Sequence, residues 1–363
     1  MKVFNGFVQY YNQHGEGVVF IDNKPVYVYG AIKGEKIEYE IVQTFKNYHI
    51  GKLINILSPS ENRNYHNIKN AHLIGGYDLI HMNNFEQKKF KIEKVINDFW
   101  KIAKIKLENI EWLEGKKKIK YRNKITLHDG YFYQKKTNEI IEIEDFLLSD
   151  IKWDKNKKGT IIYRQLDTLI SGSKDDIKYT TDKLLNYNFR IGLNSFYQVN
   201  KEVTEIAYQY IKDNIIKNAT ILDLYCGIGT IGIILSDISK NVVGIEINKN
   251  SYEDALYNKY LNNINNISFV NDNVDNFVKE NKIKFDNVIL DPPRKGVDKK
   301  TLNIIKNEIK PKRIIYMSCN PATQASNINY LRDKYHISKF SIIDMFPQTY
   351  HIETIAILDI ENI

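Results

Sequence analysis

Four short segments carry the residues best suited to chemistry. They are Asp223-Leu-Tyr-Cys-Gly-Ile-Gly-Thr-Ile-Gly232, Asp291-Pro-Pro-Arg-Lys-Gly296, Met317-Ser-Cys-Asn-Pro321 and Asp344-Met-Phe-Pro-Gln-Thr-Tyr-His-Ile-Glu353. The first follows an apolar strand and opens a helix, so Gly227, Gly229 and Gly232 let the backbone approach a ligand closely at the helix start. Glu246 closes the next strand, 23 residues after Asp223, where a carboxylate reaches ribose hydroxyls. A glycine turn with such an acid fits a nucleoside-containing cofactor, and alone it does not separate NAD from S-adenosylmethionine. Only two cysteines occur, Cys226 and Cys319, which excludes a disulfide framework and a four-cysteine metal site. A lone cysteine is more often a buried packing group, and Cys226 in the glycine turn reads that way. The place of Cys319 at a strand end before Asn-Pro reads instead as that of a nucleophile.

These segments need a scaffold that gathers strand ends. From about residue 200 the chain alternates helical and strand patterns: helix 201–214, strand ATILDLY, helix 231–238, strand NVVGIEI, helix 249–262, strands ISFVND and FDNVILDPP, helix 298–308, strand RIIYMSC and helix 322–333. Such alternation predicts a mostly parallel sheet covered on both faces. The last strands, FSIIDMF and HIETIAILDI, are joined too tightly for a crossover helix and predict an antiparallel edge hairpin. The expected fold is therefore α/β, a Rossmann-like seven-stranded sheet over 191–363. Ligands bind such sheets beyond the carboxyl ends of the strands, where all four segments fall. The acidic strand end before the glycines, the terminal hairpin and the Asp-Pro-Pro motif together favour S-adenosylmethionine, with adenine expected near Asn271–Asn273.

Upstream, residues 1–58 are five short β-type runs separated by turn residues, the pattern of a small OB-like barrel. Its aromatics either face RNA or fill its own core. Residues 59–190 form a second, β-rich unit with a helix near 84–104, on which Phe85, Phe90, Val95, Ile96, Phe99 and Ile102 recur at helical spacing. The run Lys116, Lys117, Lys118, Lys120, Arg122 and Lys124 is expected on a hairpin, as a solvated face or a phosphate contact.

A formal charge of +8 points to a polyanionic partner, although an AT-rich coding sequence yields much the same lysine content. No run approaches the roughly 20 apolar residues that span a bilayer, and the opening residues lack a signal-peptide core, so a cytoplasmic protein without membrane contact is expected.

The segments at 291–296, 317–321 and 344–353, together with Asn194-Ser-Phe-Tyr-Gln-Val-Asn200, occur in an order that resembles the RNA uracil-C5 methyltransferases. The likeness covers nearly the whole chain, because the amino-terminal segment is similar to that family's TRAM barrel. It implies Cys319 as nucleophile and Glu353 as proton acceptor. Uracil carbon 5 is a poor nucleophile until a thiolate adds at carbon 6, and a base must then remove the carbon-5 proton before the thiol leaves. It further implies S-adenosyl-L-methionine as cofactor, held by Tyr225, Gly227, Thr230 and Glu246. Gln198 would meet the cofactor or the uracil, and Asp291 the cofactor or the ring. Many members bind an iron–sulfur cluster through a Cys-Gly-Gly-Cys core, where this chain reads Ile74-Gly75-Gly76-Tyr77. No cluster is therefore expected.

The implied substrate is 23S rRNA, which the TRAM-like barrel favours, and the alternative is a tRNA T-loop uridine. A monomer is expected. From another class, the Asp291-Pro-Pro turn would suit an amino-group methyltransferase, but Arg294 replaces the aromatic usual after those prolines, and Cys319 and Glu353 would have no work. A catalytically dead RNA-binding module would likewise waste them.

Overall fold

The computed structural model describes residues 2–280 and 284–361. The chain divides into two compact units, one of residues 1–95, 131–144 and 346–351, the other of 96–130, 145–345 and 352–363. The helix Asn84–Ala103 begins in the first and ends in the second.

The first unit is built on a six-stranded sheet, Val3–Phe7, Tyr10–Tyr11, Gly17–Ile21, Lys24–Val28, Lys36–Thr44 and His49–Ser58. Five strands were expected there. The first apolar run changes partner after Val8, whose N–H still reaches the Glu35 carbonyl at 2.9 Å, whereas Gln9 N–H donates to the Val18 carbonyl at 2.9 Å, and so it yields two strands. Alternation sends Val19, Val26, Val28, Ile37 and Tyr39 to a common core, while Tyr10, Phe20 and Tyr27 take the other face. Ile74 and Tyr77 are also buried in this unit.

The second unit holds an eight-stranded sheet. Its strands are β1 Glu111–Leu113, β2 Thr220–Leu224, β3 Asn241–Ile245, β4 Ile267–Val270, β5 Asn287–Leu290, β6 Arg313–Ser318, β7 Tyr335–Ile343 and β8 Glu353–Ile360. They lie in the order β4-β3-β2-β5-β6-β8-β7-β1. The five strands β4 to β6 run parallel, and β8 is antiparallel to both β6 and β7, as the short final connection requires. Seven strands were expected. The eighth, β1, is three residues from the upstream segment that add parallel to β7, too few to show a period. Helices Lys201–Asn214, Thr230–Leu235, Lys249–Leu261, Lys299–Ile304 and Pro321–Leu331 stand near their expected places, and Val274–Glu280 is a helix the pattern did not reveal.

Two expectations upstream fail. Of the apolar stripe on the 84–103 helix, Phe90, Val95 and Phe99 are buried but Phe85, Ile96 and Ile102 are exposed. The basic run lies on no hairpin, since only Lys124 belongs to a strand. Glu202 accepts from the Lys116 and Lys117 backbone N–H groups at 2.9 and 3.1 Å, and Lys118 and Lys120 pair with Asp344 and Asp150.

Candidate active site

Strand register places the candidate residues at one edge. Leu224 pairs with Ile245 and with Leu290, and each is the last residue of its strand, so Tyr225, Glu246 and Asp291 all follow immediately beyond the paired sheet. Ser318 ends β6 opposite Thr354 of β8. Antiparallel register then sets Cys319 opposite Glu353, with both side chains leaving the same face and α-carbons about 5 Å apart.

The glycine turn is held by two carboxylates. Asp223, buried at the end of β2, accepts from the Gly232 N–H at 3.0 Å. Glu246 accepts from the Gly227 and Asn248 N–H groups at 3.0 and 2.7 Å, which leaves lone pairs on both oxygens for hydroxyl donors. Gly229 has φ +82°, and a Cβ there would sit 2.6 Å from the Phe269 ring. Gly227 has φ +57°, and a Cβ would meet nothing within 4 Å because the backbone faces open space. Gln198, Tyr225, Gly227, Thr230 and Asp291 all line this cleft, with Phe196 at its side. Hydroxyl-accepting carboxylates, a bare backbone and an aromatic ring fit the ribose, methionine and adenine parts of S-adenosylmethionine. Asn271 and Asp272 are engaged locally, Asn271 Nδ2 donating to the Glu246 carbonyl at 2.8 Å.

Cys319 is fixed from behind by buried polar side chains. The Thr354 hydroxyl lies 2.8 Å from Gln324 Oε1 and 3.1 Å from the Ser318 carbonyl, and Gln324 Nε2 donates to the Tyr316 carbonyl at 2.8 Å. Asn320 caps the helix after Cys319 and donates through Nδ2 to the Arg294 carbonyl at 3.1 Å, strapping the Asp-Pro-Pro-Arg loop to the nucleophile's turn. Asn327 clamps the same loop by accepting from Val297 N–H at 2.9 Å.

The electrostatics are those of a crowded acidic site. Burial, then the neighbouring Asp291, pushes the Asp223 carboxyl up to about 8, and burial pushes Asp291 up to about 7. Glu353 is raised well above the usual carboxylate range by burial and by Asp291. The Cys319 thiol is pushed up to about 11 by burial, then by Glu353, and Arg294 pulls both groups partly back. Arg294 and the buried Tyr208, whose hydroxyl is 3.5 Å from Thr230 Oγ1, were not singled out in the sequence. The position of Arg294 where amino-group enzymes carry an aromatic was the one available signal.

Among the described residues no cluster of His, Cys, Asp and Glu could hold a metal, and no helix is long and apolar enough to cross a membrane.

Comparison with known proteins bears on this site. A sequence profile described as tRNA (uracil-5-)-methyltransferase matches residues 61–360. A protein of Mycoplasma mobile named an uncharacterized RNA methyltransferase is 48% identical over 350 residues, 96% of each chain. One from Staphylococcus aureus, similarly named, is 31% identical, again with 96% of each covered. The solved tRNA (uracil-54, C5)-methyltransferase of Pyrococcus abyssi, in complex with S-adenosyl-L-homocysteine, shares the fold with a TM-score of 0.78 and 23% identity. That likeness covers 98% of this chain and 100% of the archaeal one. The amino-group reading of Asp291-Pro-Pro-Arg294 and the dead-module reading are thereby overturned. The chain belongs to the tRNA (uracil-5-)-methyltransferase family, and it is an S-adenosylmethionine-dependent RNA (uracil-5-)-methyltransferase.

Proposed function

We propose that the chain methylates carbon 5 of a uridine in 23S rRNA, with Cys319 as nucleophile and Glu353 as base. The pairing of Ser318 with Thr354, which sets Cys319 against Glu353, carries this reading. The Cys319 sulfur adds to carbon 6 of the ring, and the electron pair of the 5,6 double bond becomes available at carbon 5. The bound cofactor supplies the methyl group. Glu353 then removes the proton left on carbon 5, the double bond re-forms, and the carbon–sulfur bond breaks to return the thiolate. A carboxylate that burial holds well above its usual range is a stronger base for that step than one in water. Gln198, Tyr225, Gly227, Thr230, Glu246 and Asp291 line or border the cofactor cleft and would hold the cofactor, or, for Gln198 and Asp291, the uracil.

In this reading residues 1–58 are a TRAM-like RNA-binding barrel, 59–190 a central β-rich domain and 191–363 the catalytic domain of a cytoplasmic monomer. A tRNA substrate is favoured by one observation. The archaeal tRNA enzyme matches along its entire length, so the amino-terminal sheet does not by itself mark an rRNA enzyme. Mass spectrometry of 23S rRNA and tRNA from a deletion strain separates the two by which 5-methyluridine disappears. Its loss from tRNA with rRNA unchanged replaces the rRNA assignment.

The roles of the two residues are tested on one denaturing gel with labelled RNA. Cys319→Ala cannot make the first bond and gives no covalent band. Glu353→Gln adds and methylates but cannot eliminate, and gives a cofactor-dependent slow band. A band from Cys319→Ala removes the nucleophile from the mechanism, and none from Glu353→Gln with normal binding removes the base.

A further inference from the structure

Three cations gather at one edge of the small sheet formed by Lys124–His128, Thr160–Gln165 and Leu169–Gly172, and no acid among the described residues forms an ion pair with them. Arg164 lies directly opposite Lys124 in the antiparallel ladder, so the two side chains leave the same face, and Arg122 lies two residues before Lys124. On that face Thr126 is exposed while Ile162, which pairs with it, is buried, so the cations stand at the border of solvent and core. Arg164 is nevertheless 0% exposed. Its Nη2 donates to the Ser195 carbonyl at 2.6 Å, on the segment that carries Gln198, whereas its Nε and Nη1 have no partner. None of the three cations forms an ion pair among the described residues, and Arg122 spends its Nε on the Lys124 carbonyl at 2.9 Å. The same cluster touches the Gln198 segment again where Asn123 Nδ2 donates to the Gln198 carbonyl at 3.0 Å.

A buried guanidinium left with two free donors carries a large desolvation cost, and a second and third like charge beside it add to that cost. Proteins retain such an arrangement where an anion completes it. We propose that Lys124, Arg122 and Arg164 form a subsite for a backbone phosphodiester of the substrate RNA, seated on Lys124 with the two guanidinium groups behind it. The half-buried Lys124 ammonium is held down to about 8, by burial first and then by Arg164 and Arg122, as befits a cation that awaits its counter-charge. The subsite ties RNA binding to the Ser195–Gln198 segment, because the anion and the Ser195 carbonyl share one guanidinium. It rests on the assignment as an RNA methyltransferase, and not on the roles of Cys319 and Glu353.

The test is binding without turnover. Full-length Lys124→Gln and Lys124→Arg are titrated with a labelled oligouridylate at several salt concentrations, and separately with S-adenosylmethionine. Loss of one phosphate contact lowers the log–log salt slope by about 0.7 and weakens binding about fivefold in 0.1 M salt. Lys124→Gln should show both changes with cofactor affinity intact, and Lys124→Arg should restore them. Arg164→Met should lose more, and if it fails to fold the Lys124 pair still decides. An unchanged slope in Lys124→Gln overturns the proposal. So does a loss of cofactor affinity with RNA binding intact, which would assign the cations to the cofactor's carboxylate.

Discussion

The free enzyme should keep its nucleophile protonated, and Cys319 can be read directly by alkylation. Its thiol is held at about 11 against an ordinary 9.0, so at pH 7.5 roughly one molecule in 3,000 carries the thiolate, where an exposed cysteine would show about one in 30. Iodoacetamide should therefore label Cys319 about a hundredfold more slowly than a free thiol at pH 7.5. The rate should climb about tenfold per pH unit with no plateau below pH 10. Mass spectrometry of the Cys319 peptide gives the rate, and Cys226, buried in the glycine turn with its thiol also pushed up by burial, serves as the unreactive internal control. Glu353→Gln removes the largest repelling neighbour and should move the profile to lower pH, whereas Arg294→Gln should move it higher. A plateau below pH 9 in the unmodified protein would refute the reasoning, because it would mean a thiolate formed before any RNA binds.

The remaining predictions concern the glycine turn, the buried acid beside it and the missing thiolates. Gly229→Ala pays for a left-handed backbone, about 1–2 kcal/mol, and also drives its Cβ against Phe269, so thermal melting should fall clearly. Gly227→Ala meets only the backbone term and should instead lose cofactor affinity by calorimetry; equal melting losses in both would contradict this. Asp223 has a folded value near 8, above its unfolded 3.8, so its contribution to stability is complete below pH 3.8 and is lost as pH rises toward 8. Melting temperature should therefore drop between about pH 4 and 8, and Asp223→Asn should flatten the drop. A variant with the parent's slope would show that another group is responsible. With Ile74 and Tyr77 buried where thiolates would stand, anaerobically purified protein should be colourless, iron-free and active, and stoichiometric iron and sulfide would contradict that.

What was legible in the sequence followed from period and spacing. The alternation after residue 200 and the tight final connection were enough for the parallel sheet with its antiparallel end, because both rest on local geometry. The same strands announce the site, since Tyr225, Glu246, Asp291 and Cys319 each sit just past an apolar run. Other features escaped for equally physical reasons. Three residues, Glu111–Leu113, carry no measurable period, and their addition to the sheet is a tertiary event. The stripe on the 84–103 helix overstated burial, as Phe85 stands 64% exposed while Phe99 packs against Phe340 at 5.0 Å. The lysine run read as a solvated face or a phosphate contact on a hairpin, yet its middle members Lys118 and Lys120 pair with Asp344 and Asp150. The cations left unanswered, Arg122, Lys124 and Arg164, are brought together by a strand pairing that spans 40 residues of sequence.

The pairing of β6 with β8 also governs where this chain can change length. Nucleophile and base are set by a ladder of six cross-strand pairs, from Arg313 with Asp359 to Ser318 with Thr354. A single-residue insertion inside either strand would slip that ladder and turn Cys319 and Glu353 to opposite faces, so their chemistry should be intolerant of indels while tolerant of many side-chain exchanges. The connection 262–266, at the far end of the sheet, lies outside the ladder and can lengthen without disturbing it. Divergence in target RNA can thus accumulate through insertions elsewhere in the chain while the reacting atoms keep their spacing.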